Sequence, residues 1–194
     1  MPPSSLSTPS WDRLFELAAP QAGFFTTQQG ADAGYSTQLL LHHIHAGRAR
    51  RIRRGVYRLV HFPAAPYDDL VPVWLWSEGQ GVFSHDTALF LHGLTDARPK
   101  HLDLTLPNTW RTRRLRVPED VDIHHGDVPA ADRTRFGAVS ATSPRRALNE
   151  CARDSLSPKL LRDAAQRALR RGVVTRPALH DVEEALSPFG GIVE

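Results

Sequence analysis

The stretch GYSTQLLLHHIHAG (residues 34–47) followed by RARRIRRGVYRLV (residues 48–60) decides how this chain is read. Gly34 supplies the left-handed backbone of a tight interhelical turn, and Ser36 is a helix N-cap. The helix predicted over Thr37–Ala46 turns Leu40 and Ile44, helped by Leu39, toward a core and closes at Gly47. Upstream, Ser10 caps a helix carrying Trp11, Leu14, Phe15 and Leu17 that ends near Pro20, and Thr26 or Thr27 caps a short one running to Ala33. Two short helices joined by a glycine-centred turn form a helix-turn-helix. Downstream, Arg48 to Ile52 and Val56 to Val60 read as short strands around Arg53, Arg54 and Gly55, which predicts a β-wing. Residues 11–60 are therefore expected to be a winged helix-turn-helix, preceded by a Pro- and Ser-rich flexible tail over 1–10.

Outward from that unit, Pro63 and Pro66 mark an expected linker over 61–67, and 68–194 are expected to form a mixed α/β domain. Its predicted helices lie near Asp68–Ser77, Ser84–Leu94, Ser143–Ala152, Ser157–Arg171 and Arg176–Leu186. Strands are predicted at Val82–Phe83, His101–Pro107, Val121–His125 and Arg114–Val117. The fold class is α+β.

Charge points to the same end of the chain. The net formal charge is only +3, yet no acid occurs between Gly34 and Val60, where six arginines fall. A concentrated basic segment on a nearly neutral body implies a polyanionic partner. A single cysteine, Cys151, excludes a disulfide framework and a multi-cysteine zinc site, and suits a reducing compartment. No apolar run approaches the ~20 residues needed to cross a bilayer, and the N-terminus lacks the pattern of a secretory signal. A cytoplasmic protein without membrane association is expected.

On the face of the third helix opposite its core positions stand Thr37, Gln38, Leu41, His42 and His45, with Ser36 at its start. Gln pairs bidentately with adenine, Thr and Leu meet a thymine methyl, and His donates to guanine or phosphate, so these are the expected readers of double-stranded DNA. Arg48, Arg50, Arg51, Arg53 and Arg54, with Tyr57 on the second wing strand, are the expected backbone contacts. No catalytic site is expected, since there is no phosphate loop, dinucleotide fingerprint or nucleophile elbow, and no cofactor is implied. Asp120 and Asp122 fit a turn into a strand better than a magnesium pair. No metal site is expected either: of the histidines only His42 and His45 share a helix face at useful spacing, while His124 and His125 point to opposite sides of a strand.

With Gly34-Tyr-Ser36, Leu40, Ile44, Gly47, the basic run Arg48 to Arg54 and Gly55-Val-Tyr57 in order, the N-terminal part resembles the AbiEi family, antitoxins of type IV toxin–antitoxin systems. The resemblance extends over roughly residues 11–186 through Val82 to Leu89 with its Ser84-His85, the turn Leu91-His-Gly-Leu94-Thr-Asp96, the strand ending Leu106-Pro107, and Val139 to Leu148 around Thr142-Ser-Pro144. It implies a winged-helix repressor acting at inverted repeats in its own operator, able to self-associate on DNA. It also implies a C-terminal domain that counters a nucleotidyltransferase-like toxin, whether or not by direct contact. The places to seek antitoxicity, or a second basic surface, are His85, Arg111, Arg113, Arg114 and Arg116. The histidine-rich reading helix departs from the more basic pattern of relatives. Two other readings stay open: a standalone winged-helix regulator without a toxin, and a DNA-binding module fused to a nuclease-like domain. Against the latter, neither Lys100 nor Lys159 follows paired acids in a strand.

Overall fold

The computed structural model describes residues 8–154 and 156–192, so most of the expected tail lies outside the described residues. The chain divides into two compact units. One runs to Gly79 and takes in Gly137–Val139; the other comprises Gln80–Phe136 and resumes at Ser140. The fold is α+β, as expected.

The first unit opens with α1 (Trp11–Ala18), capped by the Ser10 hydroxyl, which accepts from Arg13 N. A 3-10 turn over Ala19–Gln21 leads to strand β1 (Phe24–Thr26) and then to α2 (Thr27–Asp32). Thr26 and Gln29 form a reciprocal capping box, with each side chain accepting from the other's backbone N–H. Gly34, at φ +89, turns the chain into α3 (Thr37–His45), whose cap Ser36 accepts from Leu39 N. Strands β2 (Ala49–Arg53) and β3 (Val56–Leu59) form the wing hairpin. Among the described residues these strands make one sheet in the order β1-β3-β2, with both neighbours of β3 antiparallel to it.

Strand β1 was not anticipated from the sequence, because three residues are too few to show a period of two. It pairs Phe25 with Tyr57 and Phe24 with Arg58, which makes β3 the central strand. Successive side chains point to opposite faces, so Phe25, Tyr57 and Leu59 lie on one face and Phe24, Val56 and Arg58 on the other. The first set joins Leu14, Ala18, Tyr35 and Leu40 in a core beneath the three helices. Helix α4 (Val71–Trp76), reached through a 3-10 turn at Asp68–Leu70, packs on β1 and β3. All four residues of β3 are consequently buried.

This arrangement corrects the expected linker over 61–67 and the assignment of 68–76 to the second domain. Arg58, buried on the central strand, donates to the backbone oxygens of Ala22 and Pro63 and to the carboxylate of Asp68, and its guanidinium stands 4.8 Å from the Phe24 ring. Asp68 also accepts from Ala65 N at 2.9 Å. The proline-containing segment is thereby held to the sheet, and α4 belongs to the first unit.

In the second unit β4 (Val82–Phe83) leads into α5 (His85–Leu91), and β5 (Leu102–Leu106) is followed by β6 (Val121–His125). Strands β7 (Arg133–Phe136) and β8 (Val139–Thr142) come next, then α6 (Pro144–Arg153), α7 (Pro158–Arg170) and α8 (His180–Leu186). The sheet order is β6-β5-β4-β8-β7, with β4 antiparallel to β5 and parallel to β8, and β5 parallel to β6. Helix α5 packs on α6 and β5, and α6, α7 and α8 pack on one another. The strand expected at Arg114–Val117 does not form; these residues lie in an irregular connection. Leu115 and Val117 alternate with arginines as a strand would have them, but among the described residues the segment pairs with no strand of the sheet. Strands β7 and β8 went unread because Arg133–Phe136 carries arginines at alternate positions and little hydrophobic signal.

Two consequences are measurable in the first unit. The Arg58 and Asp68 side chains are only 11% and 13% exposed, and removing one partner of a buried pair strands the other charge. Asp68→Ala is expected to destabilise the unit by about 2–4 kcal/mol and to open 63–68 to proteolysis, read by denaturant melts and limited digestion. The second concerns His43, whose ring packs between Trp11 and Tyr35 and whose Nδ1 is buried without a hydrogen-bond partner among the described residues. Burial first, then the charges of Arg48 and His42, hold its pKa below the ordinary imidazole value. Because the unfolded chain then binds the proton more tightly, this site's contribution to stability falls as pH drops through about 6.5. Melting of His43→Phe between pH 7.5 and 5.5 is expected to be less pH-dependent than that of the parent.

Candidate nucleic-acid interface

Helix α3 is set by its buried side. Leu40 is 2% exposed and is flanked by the partly buried Leu39 and Ile44. Across the interhelical turn Leu40 Cδ1 would lie 3.0 Å from a Cβ on Gly30, so the glycine lets the two helices approach closely. With that side buried, Ser36, Thr37, Gln38, Leu41, His42 and His45 are all exposed. These six expected readers therefore share one solvent-facing surface of a helix anchored by its own core contacts. Leu41 is 47% exposed, an unusual position for a leucine in a helix with a core side available to it.

The wing is a short hairpin with Arg54 and Gly55 at its turn, and Gly55, at φ +73, takes the left-handed conformation that such a turn requires. Thr27 holds the turn in place: its backbone N–H donates to Gly55 O at 2.9 Å and its hydroxyl to the same oxygen at 3.4 Å. The tip of the wing is thus fixed to the start of α2, a link that Thr27 gave no sequence signal of making. A bulge at Ile52 shifts the register between Arg51 and Arg53. Arg50, Arg51 and Arg54 are exposed and Arg53 is half-buried.

Two of the expected contacts are placed differently. Tyr57 is 7% exposed and stacks on Phe25 with ring centroids 5.5 Å apart. Its position on the central strand puts its ring in the core, which removes it from the expected contact surface. Arg48 is exposed but precedes the wing strand and lines a groove with Trp11, Phe15 and Phe62, away from the turn at Arg54. Arg58 is engaged internally by Asp68.

In the second unit Arg111, Arg113, Arg114 and Arg116 are exposed on the connection between β5 and β6. Arg113 lies over the Trp110 ring at 3.7 Å, and Arg111 donates to Asn108 Oδ1 and to His125 O. His85, named with them as a place to seek antitoxicity, stacks on His124 with its side chain 12% exposed. Burial and the neighbouring His124 hold the pKa of His85 down, whereas the hydrogen bond to Asp103 holds that of His124 up. Burial pushes the Cys151 thiol far up, so it is a packing residue of α6. Among the described residues no helix is long and apolar enough to cross a membrane.

The element order helix, strand, helix, helix and two-stranded wing, with the first strand added beside the second wing strand, is that of a winged helix. No curated protein matches the chain. The model of a family described as transcriptional regulator, AbiEi antitoxin, matches residues 12–60. That span begins in α1 and ends one residue beyond β3, so it covers the three helices and the wing together. Over residues 12–60, its winged-helix part, this chain is similar to the AbiEi antitoxin family of transcriptional regulators.

Proposed function

We propose that the chain is a sequence-specific DNA-binding repressor of its own operon and the antitoxin of a type IV system whose toxin is nucleotidyltransferase-like. The observation that carries the DNA-binding part is the single exposed face of α3, with a basic wing held beside the same helical unit by Thr27 and Gly55. In this reading α3 enters the major groove. Gln38 offers a bidentate amide to adenine, Thr37 and Leu41 offer methyl groups to thymine, and His42 and His45 donate to bases or to phosphate. Ser36, at the helix start, approaches the backbone together with the free N–H groups of the first turn. Arg50, Arg51, Arg53 and Arg54 neutralise phosphates beside the groove, and Arg48 reaches the backbone from the other end of the wing strand. Self-association on inverted repeats and the toxin partner rest on the family resemblance. The exposed arginines at 111, 113, 114 and 116 are the first surface to vary in a test of antitoxicity.

The experiment is a fluorescence-anisotropy titration of the protein on its own upstream DNA at several salt concentrations. About five phosphates neutralised per chain give a slope of log affinity against log salt of about −4 to −5. Changing Arg50, Arg51, Arg53 and Arg54 together to alanine is expected to flatten that slope and abolish nanomolar binding, whereas Tyr57→Phe leaves binding unchanged. Affinity no greater for the upstream DNA than for random DNA, or an unaffected quadruple variant, overturns the reading. Toxicity of the adjacent gene product, relieved by co-expression of this chain, tests the antitoxin part.

A further inference from the structure

We propose that the second unit binds one divalent transition-metal ion between His85, His124 and Asp154. The three residues come from separate elements: the start of α5, strand β6 and the C-cap of α6. One donor atom of each lies within 4.8 Å of the others. His85 Nε2 and His124 Nδ1 converge on the same oxygen, Asp154 Oδ2, at 3.1 and 3.4 Å. They do so at the wall of a cavity of about 270 Å³ that Glu150 and Arg146 also line.

The far side of each ring is held by a partner of the kind that orients metal-binding histidines. His124 Nε2 faces Asp103 Oδ1 at 3.0 Å, and the other oxygen of Asp103 accepts from Thr87 N and Thr87 Oγ1. His85 Nδ1 faces the buried Ser84 hydroxyl at 2.9 Å, which itself accepts from Thr105 Oγ1 at 2.8 Å. The Asp103 carboxylate behind His124 keeps the proton on Nε2, leaving the Nδ1 lone pair for the ion and increasing its basicity, while the Ser84 hydroxyl fixes the orientation of the His85 ring. The backbone makes a parallel statement, since His85 adopts φ +48 at the first position of its helix. A left-handed conformation at a non-glycine residue persists only where the surroundings over-determine it, and such positions cluster at ligand sites.

Two other donors nearby are already engaged, while His125 also lines the cavity. Glu150 accepts from Arg146 and from Thr142, and Cys151 is buried with its thiol protonated. His85 and His124 are stacked with centroids 3.6 Å apart and planes at 19°, so binding requires the rings to rotate until both in-plane lone pairs meet the ion; two imidazoles and one carboxylate then suit Zn²⁺, Co²⁺ or Ni²⁺ and leave a coordination position for water. Magnesium and calcium prefer all-oxygen sets. The ion would tie α5, β6 and α6 together, so occupancy raises the unit's resistance to unfolding.

The test uses the full chain, stripped with chelator and dialysed against Zn²⁺ or Co²⁺. One ion per chain, Co²⁺ visible bands without a thiolate charge-transfer band, and a Zn²⁺-dependent rise in melting temperature are expected. Asp154→Asn, at a side chain 54% exposed, is expected to lose both binding and the rise. Asp103→Asn, behind His124, is expected to weaken binding about 10–100-fold. Two controls should bind as the parent does: His42→Ala with His45→Ala on α3, and His101→Ala with Asp122→Asn at the exposed pair. Absence of stoichiometric uptake, parent-like affinity in Asp154→Asn, or loss of the ion in either control overturns the proposal. Asp154→Asn carries the test if a His124→Ala chain does not fold.

Discussion

The guanidinium of Arg58 sits at the centre of a three-stranded sheet, where a cation persists only if its donors are satisfied. Ala22 O, Pro63 O and Asp68 accept from it, and the face of Phe24 covers its remaining side. A buried ion pair of this kind contributes little net stability, since desolvation consumes most of the attraction. Its effect is to specify where the chain goes after the wing. Residues 63–68 return to the sheet, α4 follows onto β1 and β3, and β3 is enclosed on both faces. Tyr57, on the opposite face of the same strand, is a core residue packed with Phe25 and the helices, and the wing's positive charge divides into one neutralised arginine inside and several solvated ones outside.

The outward charges are useful only if they are held in register with α3. Several short links do this work: the Gly30–Leu40 approach that sets one helix against the next, the capping box of α2, and the two hydrogen bonds from Thr27 to Gly55. Each is local and individually small, on the order of 1 kcal/mol for a capping or turn hydrogen bond. Together they hold α3 and the wing hairpin in one unit, and in the DNA-binding reading proposed above this reduces the ordering entropy lost when a groove is engaged.

In the second unit the His85, His124 and Asp154 constellation shows a different logic. Each residue is unremarkable in its own element. Together they form a concave polar site because β5 and β6 run parallel and in register, which brings His124 beside Thr105. Asp103, Thr87 and Ser84 then orient the rings from behind. The three residues are far apart in sequence, so no spacing motif announces their meeting.

The sequence by itself determined what depends on neighbours three or four residues away. The caps Ser10, Thr26 and Ser36, the turn at Gly34, the apolar side of α3, the wing hairpin and the concentration of arginine were all legible, because helix periodicity and turn chemistry are local. They were enough to identify a winged helix and to name the face of α3. What needed long-range pairing was not legible. Strand β1 is too short to carry a period, β7 shows no apolar alternation, and Arg114–Val117 looks extended without having a strand to pair with. The buried state of Tyr57 and Arg58, the capture of 63–68 and the meeting of His85 with His124 were decided by which strand is central and what covers its second face. Those outcomes follow from tertiary packing: burial is a property of both sides of a sheet, and a single strand's sequence encodes only the alternation of its own side chains.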